Sequence, residues 1–354
     1  MTIENPIYRT STLVDVIRDD EITLPPQNYW LSLCFPSTAQ FTTEEIDFSK
    51  LTDTRKIAPL VVPTAQGVPI YSNAEYRASL RPAYIKVKDA VNASRVIKRV
   101  AGFGELNSNP PMSPQERYDA IVTDILRQHR RAIERRWEWM ASEAVQHGRV
   151  TLEDERYPRT LVDFERDPAH TVQLTGSNRW GETGVDILAD IEGWKKIARR
   201  SKFGGPLNRL TVGTEAWDIM RKDQAIRDLL KTDYLPAQRN GLDISLGVLE
   251  GLDVEWVGRI NGTTDVYVYS DYYEDENGNV VEFMDPHAVV MTGPGVRGVR
   301  AFAAIQDINA SFQPLEIFPK MWPEQDPSAT FIMSQSAPLM VPMLPNSTFY
   351  VKVR

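Results

Sequence analysis

Gly293, Gly295 and Gly298, in the run GPGVRG, have the spacing of a loop whose backbone amides can approach a pyrophosphate. That chemistry also needs a helix N-terminus directly behind the loop, and the following VRAFAAIQD offers no helical start. Pro294 marks a turn instead, so nucleotide binding is not expected here. The acidic run YEDENG carries oxygen ligands of the kind calcium takes. Placing Gly278 at the sixth position of a calcium loop, however, puts Tyr273 first and Met284 twelfth, where carboxylates are required. The run reads as a hairpin tip with Asn277-Gly278 as its turn. The histidines His129, His147, His170 and His287 are scattered without metal-ligand spacing, and the single Cys34 adds little. No Gly-x-Ser-x-Gly elbow and no Gly-Lys-Ser/Thr phosphate loop occurs. Paired carboxylates at Asp19-Asp20 and Glu44-Glu45 read as solvated surface. No catalytic residue, cofactor or metal is therefore assigned.

The other concentration of functional groups is a set of arginines. Arg127, Arg130, Arg131, Arg135 and Arg136 stand among Asp124, Glu134 and Glu138 in one segment. The polar face they make reads equally as a solvated face or as a working surface, and the segment alone leaves both open. The 354-residue chain has a formal net charge of -8 with its basic residues dispersed, so gripping a phosphate backbone is not its expected task. Its hydrophobic content of 42% and charged content of 25% are those of a globular protein. Cys34, in the apolar YWLSLCF, reads as a buried thiol in a reducing compartment. The opening MTIENPIYRTSTLVDVIRDD lacks the features of a secretory leader, and no apolar run approaches the roughly 18 residues of a membrane span. A cytoplasmic origin is expected.

The arginines need a rigid carrier, and the segment 113–148 supplies one. Ser113 stands at the N-cap, Pro114 at the first helical position and Glu116 where a capping box requires it, while Gly148 provides the stop. Apolar residues recur at helical spacing through Tyr118, Val122, Ile125, Ala132 or Ile133, Trp137, Met140 and Ala144. At about 1.5 Å per residue the rod is roughly 50 Å long. No heptad-rich partner is present to make it a coiled coil.

Around this helix the chain is expected to fall into unlike parts. Residues 1–50 form an arm too short to enclose a core, whose apolar residues are expected to pack on something else, such as a neighbouring chain. Within 51–100, KIAPLVVP and AYIKVKDAV flank the polar YSNAEYRAS and predict a long two-stranded loop, with Ile85 and Val87 alternating with Lys86 and Lys88. RVTLEDERYPRTLVDFERD predicts a hairpin, 186–200 and 214–230 predict helices, and LNRLTVG a strand between them. From Ile244 strands dominate. The tail 315–354 offers strand runs around a Pro-rich tip at 323–327 and ends on the alternating FYVKVR.

In that order, and with FTTEEIDF at 41–48, RAFAAIQD at 300–307, FPKMWPEQDPSATFIMSQSAPLM at 318–340 and the terminal FYVKVR, the chain resembles the major capsid proteins of tailed phages, in particular the lambda-type branch with the Hong Kong 97-type fold. The resemblance implies an α+β capsid fold. Its parts would be an N-terminal arm at 1–50, an extended hairpin at 51–100, and a peripheral domain at 101–190 built on a spine helix at 114–147. An axial domain at 191–309, return strands of the peripheral domain at 310–340 and a C-terminal strand at 341–354 complete it.

The implied activity is self-assembly into hexamers and pentamers of an icosahedral shell around double-stranded DNA, which is touched without sequence preference. Implied partners are further copies of the chain, a separate scaffolding protein, a portal and a small decoration protein, the last in preference to lysine–asparagine crosslinks. No membrane is involved: the protein belongs to the virion and is assembled in the host cytoplasm. Implied contact residues are Tyr71, Glu75, Arg77, Arg81, Lys86 and Lys88 on the hairpin, with Arg130, Arg131, Arg135 and Arg136 on the spine. Two other readings stay open at this point. One is a different phage structural component, such as a tail or decoration protein, and the other an enzyme whose groups converge from distant positions.

Overall fold

The computed structural model describes residues 7–23, 28–50, 76–92, 95–96, 113–154, 157–227, 254–275, 277–325 and 328–354. Its helices are α1 (Thr10–Thr23), α2 (Tyr29–Cys34), α3 (Pro114–His147), α4 (Ile187–Arg200) and α5 (Thr214–Met220). The long α3 starts and stops where the sequence places it. Ser113 Oγ accepts from the Glu116 N–H, the Glu116 carboxylate accepts from the Ser113 N–H, and Gly148 closes the helix at φ 66°.

The largest sheet has six strands in the order β7 (Thr171–Gln173), β18 (Thr348–Lys352), β13 (Ala288–Thr292), β8 (Arg209–Gly213), β10 (Thr264–Tyr269) and β9 (Val254–Ile260). Its central strands β18, β13 and β8 are buried on both faces, and the period of two sorts their side chains between two cores. Val289, Met291, Phe349 and Val351 face Trp180, Ile191, Trp194 and Ala198 on the α4 side. Ala288, Val290 and Tyr350 face the spine and its neighbours. α4 begins at Asp186, whose carboxylate accepts from the Ala189 N–H. The expected helix over 214–230 is shorter than its pattern: α5 ends at Met220, and a new turn starts at Asp223, which accepts from the Ile226 N–H.

Two three-stranded sheets flank the spine. One is β1 (Ser37–Gln40), β14 (Gly298–Phe302) and β17 (Pro338–Pro342); the other is β15 (Phe318–Glu324), β16 (Ala329–Ser336) and β4 (Ile85–Asn92). Three ribbons complete the fold: β2 (Ile46–Lys50) with β3 (Tyr76–Leu80), β5 (Arg149–Asp154) with β6 (Tyr157–Asp163), and β11 (Tyr272–Glu274) with β12 (Val280–Glu282).

Of the two runs expected to form the long loop, KIAPLVVP lies outside the described residues. The strand β4 of AYIKVKDAV pairs with β16, Val91 opposite Thr330 and Val87 opposite Ser334. The strand that pairs with β2 is β3, drawn from the run read as a polar middle. A strand with one wet face needs an apolar bed beneath the other, and for β4 that bed is the spine, where Val91 packs with Tyr118, Ile121 and Ile125.

The arm's apolar residues pack outside the arm, and the surface they find is the rest of the same chain: Leu13 and Ile17 of α1 join the first half of the spine, and Tyr29, Trp30, Leu31, Cys34 and Phe35 enter the largest core. With Trp30 at 0% exposure, α2 is an interior element whatever precedes it.

Candidate subunit-contact site

The second half of the spine is a joint at which three parts of the chain meet. Glu138 projects from α3 onto the N-terminus of α2, its Oε1 accepting from the Trp30 N–H at 2.7 Å and its Oε2 from the Leu31 N–H at 3.0 Å. These are donors that a helix start leaves without partners, so a carboxylate from another element caps them. The side chain has no solvent exposure, and burial pushes its pKa up to about 7 against the two amides that hold it down. Asp271 and Arg135 lie close by. Arg135 Nη1 donates to both Asp271 oxygens at 2.8 Å, tying the spine to the segment just after β10.

Next along the same helical stripe, Ser142 Oγ and Gln146 Nε2 donate to the Phe283 carbonyl at 2.8 and 2.7 Å. At the end of the helix the buried Arg166 takes the orphaned carbonyls, Nη1 donating to Val145 O at 2.8 Å and Nη2 to Gln146 O at 2.5 Å. Nη1 also reaches Thr348 Oγ1 of β18 at 3.1 Å. Burial lowers the Arg166 pKa to about 10.

Sequence reasoning missed Glu138, placing it on the solvated face, and Arg166 altogether. A signal for the first was present. Glu138, Ser142 and Gln146 follow one another at four-residue spacing beside the apolar stripe, a polar row without a full charge after its first member.

The expected contact residues divide by location. Tyr71 and Glu75 lie outside the described residues, and Arg77 is placed only by its backbone, opposite Ser49 in the β2–β3 ribbon. Arg81 is exposed, its Nε donating to Glu45 Oε1 at 3.0 Å with Glu44 3.7 Å from Nη1. Lys86 and Lys88 are exposed on β4, the first 5.6 Å from the Tyr84 ring and the second 3.9 Å from that of Phe331.

On the spine, Arg130 is buried and spends its guanidinium within the chain, donating to Glu134 Oε1 at 2.7 Å and to Ile17 O of α1 at 2.6 Å. Arg135 holds Asp271, and Arg136 donates to Asp154 Oδ2 of β5 at 3.2 Å. Arg131 is exposed. These four arginines therefore do different work, three as braces of the fold and one facing solvent.

The glycine-rich run that suggested a phosphate loop has a packing explanation. A Cβ on Gly298 would lie 2.2 Å from the Phe35 ring and 2.5 Å from the Cys34 carbonyl, and one on Gly293 would lie 1.9 Å from Pro206 O. Gly298 starts strand β14, with no helix behind the turn. Among the described residues no group of three or more His, Cys, Asp or Glu side chains could hold a metal ion, and no helix is long and apolar enough to cross a membrane. The Cys34 thiol is buried, and burial raises its pKa well above the usual thiol range.

The chain matches the family model for phage major capsid protein E over residues 9–353. It belongs to that family. The P21 prophage-derived major head protein of Escherichia coli O6:H1 is 27% identical over 332 residues, 92% of this chain and 94% of the relative. The major capsid protein of Escherichia phage lambda is 27% identical over 319 residues, 88% and 90% of the two chains. A crystal structure described as a prophage capsid protein of E. coli CFT073 superposes with a TM-score of 0.75 at 24% identity, covering 98% of this chain and 99% of that one. The α+β architecture is thus the Hong Kong 97-type capsid fold, and the chain is a phage major capsid protein. The braces on its spine are those of a capsid tile.

Proposed function

We propose that this major capsid protein builds the head shell of a tailed phage from hexamers and pentamers and encloses double-stranded DNA. The observation that carries the reading is the family match, which runs through arm, spine and both lobes from residue 9 to residue 353. In this reading the six-stranded sheet with α4 and α5 is the axial domain, and the spine with its two three-stranded sheets is the peripheral domain. The β2–β3 ribbon is the stem of an extended loop that reaches a neighbour. Exposed Arg81, Lys86, Lys88 and Arg131 are the contact residues, joined by Tyr71, Glu75 and Arg77 on the loop.

The role is assembly, with no reaction assigned. A precursor shell would form in the host cytoplasm with a separate scaffolding protein and a portal, and a small decoration protein would secure the mature shell. The net charge of -8 supports a wall that meets DNA without sequence preference and without holding it fast. Contacts spread over many copies, each modest, allow errors to be corrected while the shell grows.

The test is to produce the chain with the phage's other head proteins and image the lysate by electron microscopy. Closed angular shells resolved into hexamers and pentamers are expected. Tubes, rings or a defined small oligomer under the same conditions overturn the reading.

A further inference from the structure

Between β14 and β15 the chain turns through Ile308–Ala310 and presents two large apolar side chains to solvent, Ile308 at 82% exposure and Phe312 at 58%. The loop that carries them is internally tied. Asp307 Oδ1 accepts from the Asn309 N–H at 2.9 Å, and Asp307 Oδ2 accepts from Lys320 Nζ at 2.9 Å. The N–H groups of Ala310, Ser311 and Gln313 donate to the carbonyls of Asp307, Ile308 and Ala310.

Ser311 and Phe312 stand in succession in the left-handed region, at φ 51° and 57°. For a bulky aromatic residue this backbone is an outlier that persists only where its surroundings impose it. The turn closes the loop on itself, the Ile305 N–H donating to Gln313 O, and in doing so holds an aromatic ring in water on a strained backbone.

The surroundings of the pair identify the class of partner. Gln306, Asn309, Ser311 and Gln313 are exposed and uncharged, and Asp307, the charge within the loop, is neutralised by Lys320. Apolar side chains ringed by uncharged polar groups have the anatomy of a protein–protein contact centre, and the loop offers no cation to a phosphate.

Its root is continuous with the outlying ribbon. The Ala304 N–H donates to Thr43 O just before β2, and Tyr84 OH, just after β3, donates to Ala304 O at 2.8 Å and accepts from the Gln306 N–H at 3.2 Å. The loop and the foot of the ribbon are thus tied together by hydrogen bonds. In a shell, identical chains lie along the edges of every subunit.

We infer that the 306–313 loop is an inter-subunit anchor whose partner is a second copy of this chain, with Ile308 and Phe312 seated against it. This rests on the shell-subunit reading and adds a contact centre to it.

Phe312→Gly separates assembly from folding. Glycine suits the left-handed backbone, and the ring it removes is exposed, so the melting temperature of the soluble chain should be unchanged or raised. Particle yield from cells making all the head proteins should nevertheless fall about tenfold or more, and Ile308→Ser should behave likewise. Ser311→Gly relieves strain without touching either apolar group and should assemble as wild type.

In assembled particles, Phe312→benzoylphenylalanine should photo-crosslink to a second copy of this chain. Phe312→Gly shells at wild-type yield, or a crosslink at 312 made only within one chain or to another virion protein, would overturn the anchor. Wild-type shells with unaffected variants sink the anchor alone, whereas absence of wild-type shells sinks the shell-subunit reading beneath it.

Discussion

The two halves of the spine are held in different ways. From Tyr118 to Leu126 the helix is covered by apolar contacts from Leu13 and Ile17 of α1 and from Val91, Met321 and Ile332 of the adjoining sheet. From Ile133 to Val145 it has apolar contacts as well, but it is also fastened by Glu138, Ser142 and Gln146 and by Arg166 beyond its end. Between the halves lies a polar seam, where His129 meets Ser334 Oγ at 3.1 Å and Asp89 Oδ2 at 3.0 Å and Arg130 meets α1. Apolar cover is non-directional and scales with area, whereas a buried hydrogen bond fixes an orientation. One rod is thus covered mainly by apolar contacts at one end, where Tyr8 also bridges to Asp119 and Gln115 near its surface, and is a set joint with buried hydrogen bonds at the other.

The contrast is most severely tested at Trp30. Trp30→Ala empties a site walled by Tyr29 and Tyr269 and should cost about 3–5 kcal/mol in urea denaturation. Deleting residues 1–23 should leave a folded chain with a weakened first half, while deletion through Trp30 should prevent folding. If both deletions behave alike, the two ends are not held differently.

Glu138→Ala strands the Trp30 and Leu31 N–H groups and should cost roughly 2–4 kcal/mol at neutral pH. The pH dependence has a defined sign. The native pKa of about 7 lies above the ordinary 4.5, so the folded chain binds the proton more tightly and the contribution to stability is full below the ordinary value and lost as pH rises through 7. Glu143, also near 7, acts in the same direction, whereas His147, held by burial near 4, removes stability as pH falls from its ordinary 6.5. Comparing the chain with Glu138→Gln at about pH 5 and about pH 8 isolates the first contribution, and equal slopes would refute it.

Gly298→Ala forces a methyl group into Phe35 beneath the joint and should cost about 1–3 kcal/mol, a value that denaturation can set against the same change at the open position Gly205. The smallest effect is expected at the far end. Ser113→Ala removes the side-chain half of the capping box and should cost about 1 kcal/mol, read as a lowered melting temperature with an unchanged native circular dichroism spectrum.

What the sequence made legible was local. The Ser-Pro-x-Glu start and Gly148 stop fixed the spine, and Asn277-Gly278 located a hairpin turn with Gly278 at φ 78°. The paired strands β5–β6 and β15–β16 follow each other closely in the chain, and each pair was expected from neighbouring runs. What escaped required partners far along the chain. The wet and dry faces of β4 were visible at Lys86, Val87 and Lys88, but nothing within the segment points to β16, more than two hundred residues on. The interior position of α2 escaped because the length of a segment says whether it can enclose a core, not whether it can enter one.

At the candidate site the arginines were noticed and their employment was not, since Arg135 and Arg136 look alike until Asp271 and Asp154 are brought to them. The anchoring loop was read as part of a family landmark, RAFAAIQD, without sign that Ile308 just beyond it would stand in solvent.

The placement of β18 bears on how the polypeptide is made. This strand lies between β7 and β13, and among the described residues it is the one strand paired with β7. Until residue 352 has left the ribosome, Val289 and Val290 of β13 have an open flank, and Arg166 has no Thr348 to reach. A product of interrupted translation thus lacks the slat that shuts its widest layer.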